Sequence, residues 1–514
     1  MSKAILKSTA IVSVMTLVSR ISGLVRDVVM ANVLGSTGLA DAFFVAFRIP
    51  NFLRRIFGEG AFAQAFIPVF SELTAQNTQD AKRFVNSTAG FLALITFVLA
   101  TAGILFAPAL VGLYAPGYSV GSTQFTETVV MLRVMFPYLF CISLVAMSAG
   151  ILNTLNRFAV PAVTPVILNV CMILAMFVLV PFFDNAARAL ACGVLIAGGV
   201  QLAFQIPSLL REGYLPSFRI DKTNEPTRRV FRLMLPAIFS VSVAQINMLV
   251  NTWLASFLVT GSISWLYYSD RLMEFPVGVF GIALATVVLP SLSKVHDAGN
   301  AMEFSKMMDW ALRWVTLIAL PATMALFFLA VPLLSTIFQY NAFKSADVEM
   351  AALALRAFSL GVCGFIFVKV LAPGFFARQD TQTPMRIAVV AVAVNILLSF
   401  SLVGHMQHTG LALAISIAAW VNSILLYVTL RMRGIYTPEP GWFWYLLRVF
   451  MAVGVMSFVI SYLNEVDRVW FEWSLSERFF RLAILVGCGG VSYFISLYLL
   501  GIRPKQLLLR QKAE

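Results

Sequence analysis

Histidine and charge are both scarce in this sequence, and each scarcity excludes a class of protein. The 514 residues include three histidines and five cysteines, and the cysteines lie inside apolar runs without metal-ligand spacing. We therefore expect core thiols, and neither a metal site nor a disulfide framework. Charged residues make up 12% of the chain, about half of the ~25% that is typical of a soluble protein. The sequence has no Walker loop, HExxH motif or nucleophile elbow, which argues against ATP hydrolysis and against an enzyme.

Long apolar stretches take the place of the missing charge, and hydrophobic residues make up 60% of the chain. A stretch of about 20 apolar residues is long enough to cross a bilayer as a helix. We predict fourteen spans, at residues 8–34, 41–70, 87–114, 128–150, 160–181, 187–208, 231–259, 265–292, 311–339, 347–374, 384–404, 409–430, 444–463 and 481–501. The first continues to Leu34 without a small-residue cleavage site, which predicts a membrane helix and not a removed signal peptide. The predicted fold is an all-α polytopic membrane protein with 14 transmembrane helices.

The distribution of basic residues predicts the orientation in the membrane. Membrane proteins collect Lys and Arg in their cytoplasmic loops. With the N-terminus inside, the inner segments hold about 22 basic residues and the outer loops about 5. We therefore expect both termini to be cytoplasmic. The formal net charge of +13 is assigned to this bias, and no nucleic-acid partner is expected.

The polar stretch 209–230 is the longest interruption between spans and separates two similar halves. The predicted domains are an N-lobe at 1–208 (spans 1–6), a cytoplasmic linker at 209–230, a C-lobe at 231–430 (spans 7–12), and spans 13 and 14 with a cytoplasmic tail at 431–514. The lobes match at a shift of about 223 residues, which pairs Asp41 with Ser264 and Arg48 with Arg271. An even number of spans separates the copies, so we expect two six-helix lobes related by a parallel pseudo-two-fold axis, plus two C-terminal helices.

Charges that a bilayer should exclude are concentrated between residues 19 and 59. An arginine at the centre of a membrane helix costs roughly 2.5–3.5 kcal/mol, so several of them indicate the wall of a cationic cavity. The arginines concerned are Arg20, Arg26, Arg48, Arg54 and Arg55, to which the second half adds Arg271. The planar guanidinium suits an anionic phosphate because it donates two parallel hydrogen bonds.

The spacing within the second span favours one polar stripe. Asp41, Arg48, Arg55 and Glu59 are separated by 7, 7 and 4 residues, which places them on one side of an ideal helix. Pro50 is expected to kink that helix, leaving open whether Arg54 or Arg55 turns inward.

Plain ion pairing is the alternative for these arginines. Asp27, Asp41 and Glu59 are available as partners, but three carboxylates cannot neutralise five arginines. The surplus of about two positive charges matches a diphosphate. Arg271 has its own alternative, an i,i+3 pair with Glu274 that stabilises a helix end.

Several motifs resemble those of one family of membrane proteins. They are the runs RISGLVRD, ADAFFVAFRIPNFLRRIFGEGAFAQAFIPVF, SWLYYSDRLMEFPVGVFGIALATVVLPSLSK and LAPGFFARQDTQTP, together with the count of fourteen spans. The sequence resembles over essentially its whole length the MurJ (MviN) family of lipid II flippases, which belongs to the multidrug/oligosaccharidyl-lipid/polysaccharide exporter superfamily.

This resemblance implies a function. The protein would move lipid II, undecaprenyl-diphosphate carrying the peptidoglycan disaccharide-pentapeptide, from the inner to the outer leaflet of the bacterial cytoplasmic membrane by alternating access. Arg20, Arg26, Asp41, Arg54 and Arg271 would be required, with Arg48, Arg55, Glu59, Ser264 and Glu274 as neighbours in a substrate-binding cavity. Spans 13 and 14 would form a groove for the polyprenyl tail. Expected partners are lipid II and membrane lipids, with the cell-wall synthesis machinery left open.

No cofactor is expected, and the source of energy is open between the membrane potential and a monovalent cation. Two other classes stay as alternatives. A drug/cation antiporter of the same superfamily would need a site dominated by carboxylates, whereas this one is dominated by arginine. A membrane-embedded glycosyl- or phosphotransferase would also bind a lipid diphosphate, but it needs a catalytic Asp, Glu or His at a loop mouth, and none stands out.

Overall fold

The computed structural model describes residues 3–503, and the side chains of 14–503 except at positions 58, 59, 239–241, 243, 244 and 282. Within that part of the chain the secondary structure is helical, with no strand. Contacts divide the chain into two compact units, Met1–Ser264 and Trp265–Glu514. The prediction of an all-α protein is confirmed.

The first unit contains ten complete helices. They are α1 (Lys3–Leu34), α2 (Gly38–Arg54), α3 (Ala61–Gln76), α4 (Thr78–Leu105), α5 (Ala107–Tyr114), α6 (Thr123–Met135), α7 (Pro137–Thr154), α8 (Ala159–Val178), α9 (Ala186–Glu212) and α10 (Glu225–Ala255). A π-helix, Arg55–Glu59, joins α2 to α3, and a 3₁₀ turn, Val180–Phe182, follows α8. Helix α2 continues through Pro50, so the irregular segment begins five residues beyond the proline.

The boundary between the units lies inside α11 (Ser262–Pro276): its first three residues belong to the first unit and the rest to the second. After it come a π-helix at Val277–Gly281, α12 (Ile282–Asp297), α13 (Ala301–Phe328), α14 (Ala330–Phe338), α15 (Ser345–Phe376), α16 (Gln382–Met432), α17 (Trp442–Leu463), α18 (Asp467–Glu472) and α19 (Leu475–Leu499). Helix α16 spans two of the predicted crossings and is sharply bent at Gln407, where φ is 50° and ψ is −132°. Helix α17 packs against α19 and α13.

Ten helices in the described residues are long and apolar enough to cross a membrane. They are Thr78–Leu105, Thr123–Thr154, Ala159–Val178, Ala186–Glu212, Ser262–Asp297, Ala301–Phe328, Ser345–Phe376, Gln382–Met432, Trp442–Leu463 and Leu475–Leu499. They overlap eleven of the fourteen predicted spans, because α16 includes two. The other three predicted spans fall on α1, on α2 with α3, and on α10. The chain is therefore a multi-pass helical membrane protein, and the count of fourteen crossings stays a prediction.

A cluster of stacked aromatic rings fixes the helices that follow the arginines. The ring of Phe66 stacks on Phe62, Phe70 and Phe84 with centroids 5.2, 5.6 and 5.3 Å apart. All four side chains are fully buried, and residues of α7, α9 and α10 complete this cluster. Burying a side chain of this size contributes roughly 1.5–3 kcal/mol, so α3 and the end of the π-helix have a rigid base.

Candidate functional site

The turn between α1 and α2 brings the first charged helices together. Residues 35–37 (Gly-Ser-Thr) form a turn, and α2 begins at Gly38. Thr37 caps α2 because its hydroxyl oxygen accepts a hydrogen bond from the Ala40 amide at 3.4 Å. Asp41 therefore lies in the first turn of α2, where a carboxylate is favoured by the helix dipole.

Asp41 is bound to backbone and hydroxyl donors. One carboxylate oxygen accepts from the Gly261 amide at 2.6 Å. The other accepts from the amide of Ser264 at 2.9 Å and from its hydroxyl at 2.6 Å. Both side chains are buried, Asp41 at 2% exposure and Ser264 at 0%. The structure thus joins two residues at equivalent positions of the sequence repeat, and it attaches the start of α2 to the start of α11.

Arg48 and Arg55 both reach polar residues of α10. The Arg48 guanidinium donates to the Thr252 hydroxyl at 2.6 Å, and that of Arg55 donates to the Gln245 side-chain oxygen at 3.2 Å. Within the described residues Arg48 forms no ion pair, and its partner is a neutral hydroxyl. Arg48 is half-buried and Arg55 is exposed. The stripe predicted along the second span therefore faces a neutral, polar side of α10 at these two positions.

Arg54 and Glu59 belong to the same segment. The Arg54 guanidinium is half-buried and donates to the Asn51 side-chain oxygen at 2.8 Å, one turn earlier on α2. Glu59 ends the π-helix, and its side chain lies outside the described residues.

Arg26 is held in a buried polar cluster between α1 and α8. Its Nε and Nη2 atoms donate to the Asp27 carboxylate at 2.9 and 2.6 Å. Its Nη1 donates to the Asn169 side-chain oxygen at 3.0 Å, and the Asn169 amide donates to the Ser22 hydroxyl at 3.0 Å. The predicted ion-pair alternative is therefore present at Arg26. The Asp27 carboxylate thus forms an ion pair with Arg26 at 2.6 Å.

Arg20 lies on the same helix and differs from Arg26. Its side chain is half-buried, and it forms no hydrogen bond or ion pair with the part of the chain that the structure describes. Within the described residues Arg20 and Arg48 thus form no ion pair, whereas Arg26 does.

Arg271 and Glu274 lie in the second unit and form the predicted i,i+3 pair. The Arg271 guanidinium donates to the Glu274 carboxylate at 3.0 Å, and their side chains are 37% and 54% exposed. It also lies 4.9 Å from the ring centroid of Tyr267. Because a partly exposed pair contributes only about 0–1 kcal/mol, Glu274 compensates the charge of Arg271 without fixing it firmly.

The neutral partners of these arginines were not predicted from the sequence. Asn169, Gln245 and Thr252 each accept a hydrogen bond from an arginine of the first unit. A usable signal existed for two of them. Gln245 and Thr252 are seven residues apart, as Arg48 and Arg55 are, which is the spacing that two antiparallel helices need to pair twice.

No group of three or more His, Cys, Asp or Glu side chains that could hold a metal ion occurs among the described residues. The charged groups of the site are mainly arginine guanidiniums, which favour anions.

Comparison with known proteins agrees with this chemistry. Residues 30–482 match the family model described as lipid II flippase MurJ. The chain belongs to the MurJ family. It is 43% identical over 514 residues to the probable lipid II flippase MurJ of Vibrio cholerae, covering 98% of each chain. It is 40% identical to the lipid II flippase MurJ of Burkholderia cenocepacia, again covering 98% of each.

A solved structure of the MurJ family has the same fold. It is described as lipid II flippase MurJ in an inward closed conformation, and it superposes with a TM-score of 0.81 at 27% identity. The match covers 95% of this chain and 98% of the other.

Proposed function

We propose that this protein is a lipid II flippase, a transporter and not an enzyme. It would move the undecaprenyl-diphosphate-linked precursor of peptidoglycan from the inner to the outer leaflet of the bacterial cytoplasmic membrane. Membership of the MurJ family, with near full-length coverage, supports this assignment. The role of the arginines in binding the diphosphate is the part that rests on the chemistry of this chain.

The observation that carries the proposal is the way in which the acids of the first unit are used. The Asp41 carboxylate accepts hydrogen bonds from two backbone amides and a hydroxyl. The Asp27 carboxylate forms an ion pair with Arg26. Among the described residues Arg20 forms no ion pair, and Arg48 donates to a hydroxyl while Asp41 acts on it only at longer range. Two uncompensated guanidinium groups at roughly 2.5–3.5 kcal/mol each are a large cost in a membrane helix. A bound diphosphate would remove that cost.

Alternating access would proceed from an inward-open state. The diphosphate binds to Arg20, Arg26, Arg54 and Arg271, with Arg48, Arg55, Glu59 and Glu274 around it, while the tail stays in lipid along α17 and α19. Outward opening would require the bonds from Asp41 to Gly261 and Ser264 to break. Without ligand the positive cavity would be drawn back by the interior-negative potential, which is worth about 2.3 kcal/mol per charge per 100 mV. A monovalent cation is the other candidate for coupling.

The wider architecture is part of the same proposal. It comprises fourteen crossings, with an N-lobe at 1–208, a linker at 209–230, a C-lobe at 231–430 and a tail-groove region at 431–514, and with both termini cytoplasmic. A parallel pseudo-two-fold axis would relate the lobes. Helix boundaries support it, since α4 (Thr78–Leu105) and α13 (Ala301–Phe328) are separated by the repeat shift at both ends. Lipid II and membrane lipids are the proposed partners, and the cell-wall synthesis machinery is a further candidate.

A leaflet-resolved assay tests the function directly. Purified protein would be reconstituted into vesicles that contain lipid II, and externally accessible lipid II would be measured with an imposed membrane potential. The Arg20→Ala variant should bind and flip poorly, whereas Arg228→Ala should behave as wild type because Arg228 pairs with Glu225 on an exposed surface.

The chemical form of the precursor separates the alternatives. A flippase defect leaves intact lipid II on its original side. A change in its chemical form in the presence of the wild-type protein would indicate a transferase, and normal flipping by Arg20→Ala would refute the arginine mechanism. Abolishing the potential should stop flipping while binding continues. Undiminished flipping would exclude coupling to the potential.

A further inference from the structure

The connection between α9 and α10 is an extended segment fastened to α4. We call residues 214–222 the strap. The Ser217 amide donates to the Asn86 side-chain oxygen at 2.8 Å, and the Arg219 amide donates to the Asn86 carbonyl at 3.3 Å. The Ser87 hydroxyl donates to the Asp221 carbonyl at 3.3 Å. These bonds fix the backbone of the strap along one side of α4.

The strap lies where α4 enters the apolar part of the membrane. Its backbone crosses α4 at Gly90, where an added Cβ would lie 2.4 Å from the Arg219 carbonyl oxygen. Leu94 follows one turn later and is 45% exposed, and Phe97 is 60% exposed. At 1.5 Å per residue, Leu94 is about 6 Å further along the helix axis than Gly90. The strap is therefore at the level of the lipid headgroups.

Three large apolar side chains of the strap are exposed. Leu215, Phe218 and Ile220 have 43%, 59% and 54% of their surface accessible. None of them is part of a spanning helix, so contact with the hydrocarbon core does not explain them. At the interface their apolar groups can enter the boundary between headgroups and acyl chains.

Basic residues surround these apolar side chains, and they differ from their neighbours in pairing. The ion-paired arginines of the first unit's polar surface are Arg83, Arg157, Arg228 and Arg229, with partners Asp221, Glu212, Glu225 and Glu72. On the strap and in the helices that flank it, the exposed basic residues without an acidic partner among the described residues are Arg211, Arg219, Lys222 and Arg232. Lys82 of α4 is likewise exposed and without an acidic partner there, and its Nζ lies 6.0 Å from the ring centroid of Tyr214 in the strap. Uncompensated charge therefore lies on the strap and on the elements joined to it.

We propose that the strap is a binding surface for the headgroups of anionic phospholipids. The phosphates would bind Arg211, Arg219, Lys222 and Arg232, while Leu215, Phe218 and Ile220 enter the interface between them. The combination of fixed backbone, interfacial level, apolar side chains and uncompensated basic charge fits a lipid surface. An acidic protein would use the charge but would leave the apolar side chains in water.

The test compares two double variants that remove the same charge. Arg219→Gln with Lys222→Gln removes uncompensated charge, and Arg228→Gln with Arg229→Gln removes charge that is already paired. Binding of short-chain phosphatidylglycerol to the detergent-solubilised protein would be measured by native mass spectrometry, with phosphatidylcholine as the neutral reference. At about 1 kcal/mol per basic residue near an anionic surface, the strap variant should bind phosphatidylglycerol about 30-fold more weakly. The control should bind it like the wild type.

Two other outcomes overturn the proposal. Equal loss in both double variants would mean a general effect of net charge, and wild-type affinity in the strap variant would mean that lipid binds elsewhere. Phe218→Ser with Ile220→Ser keeps every charge and should also weaken phosphatidylglycerol binding. If that variant binds normally while a polyglutamate peptide competes for the wild-type surface, the partner is an acidic protein and the lipid assignment is wrong. Phospholipid bound at the arginines of the transport site is common to all variants and cancels in the comparison.

Discussion

The two units share one succession of helices but differ in charge. In the first, α2, a five-residue π-helix and α3 follow one another from Gly38 to Gln76. In the second, α11, a five-residue π-helix and α12 follow one another from Ser262 to Asp297. The two π-helices begin 222 residues apart, within one residue of the repeat shift, and each overlaps a glycine-containing run, FGEG or VGVFG.

The charges do not follow this pattern. Arg20, Arg26 and Arg54 correspond at the repeat shift to Val243, Leu249 and Val277. Helices α10 and α11 and the π-helix that follows them show that the same succession of helices forms with apolar residues at these positions. The arginines of the first unit are therefore not needed to build the helices, which supports a role in binding.

The connections that follow the sixth and twelfth predicted spans also differ in the charge of the side chain that binds them. Asn86 on α4 accepts the Ser217 amide, and at the equivalent position of α13 Asp309 accepts the Tyr436 hydroxyl, the Trp442 indole and the Glu439 amide. Asp309 is buried at 1% exposure. The side chain that binds the connection is thus neutral in the first unit (Asn86) and charged in the second (Asp309).

The largest effect expected from this difference is on stability. Asp309→Ala would leave buried donors unpaired and would also break the ion pair with Arg313, at 2.7 Å. We expect a loss of about 3 kcal/mol, at the low end of the range for breaking a buried pair, because Arg313 is 24% exposed.

The matched substitution in the first unit is Asn86→Ala. It removes one side-chain hydrogen bond and should cost about 1 kcal/mol. Free energies of unfolding from denaturation in SDS would measure both. Equal losses of unfolding free energy in the two variants would show that the charge of Asp309 adds no stability beyond a neutral hydrogen bond.

The second effect compares Arg48 with Arg271, which are equivalent in the repeat. Arg48 has only a hydroxyl partner in the described residues, whereas Arg271 has Glu274. Losing a charge-assisted hydrogen bond to a phosphate costs about 1.5–3 kcal/mol, or about 10- to 150-fold in affinity. Arg48→Ala should show that full loss for undecaprenyl diphosphate, measured by titration.

Arg271→Ala should lose less, because the ligand competes with Glu274 for that guanidinium. Arg228→Ala, which removes an arginine paired with Glu225 on the exposed surface, serves as the control. If Arg271→Ala lost more affinity for undecaprenyl diphosphate than Arg48→Ala, the lack of an ion-paired carboxylate at Arg48 would not determine how strongly that arginine binds the ligand.

The third effect concerns the contact between equivalent positions. Asp41 and Ser264 share two hydrogen bonds, so Asp41→Asn and Ser264→Ala should be non-additive by about 1 kcal/mol in a double-mutant cycle of unfolding free energies. Ser256→Ala is the matched control, since the Ser256 hydroxyl accepts from the Gly117 amide and has no bond to Asp41. Additivity of the first pair would mean that this contact contributes nothing to stability.

Much of the fold could be predicted from the sequence, because length and apolar composition identify a membrane helix. The turn at 35–37, the helical character of the predicted spans and the i,i+3 pair at Arg271 were all accessible in this way. The contact between Asp41 and Ser264 was not, because a repeat alignment says which residues are equivalent and not which ones touch.

The partners of the arginines were hidden for a related reason. Helices that are apolar on every side carry little information about their rotation, since no hydrophobic stripe marks the buried face. Asn169 lies among apolar residues in such a helix, so its direction depends on packing between elements far apart in sequence. The two π-helices were missed as well, because hydrophobic periodicity does not report one extra residue in a turn.

The smallest effect on stability is expected in the polar connections, where each unit has a carboxylate with a lowered pKa. Hydrogen bonds from Thr223 and the guanidinium of Arg83 lower the pKa of Asp221 from 3.8 to about 2. Hydrogen bonds from Thr383, together with Arg433, lower the pKa of Asp380 to about 2 as well. A lowered pKa stabilises the folded state above the unfolded value near 3.8, and this contribution is lost as the pH falls through the folded value.

The thermal midpoints should therefore depend on pH in the same way in both units. Asp221→Asn and Asp380→Asn should each lower the midpoint slightly and equally at pH 7, and both should approach the wild type as the pH falls from about 4 to about 2. Both carboxylates lie at the surface, where ion pairs are worth little. A difference at pH 7 that persists to pH 2 would mean that the asparagine variants lose something other than a carboxylate charge.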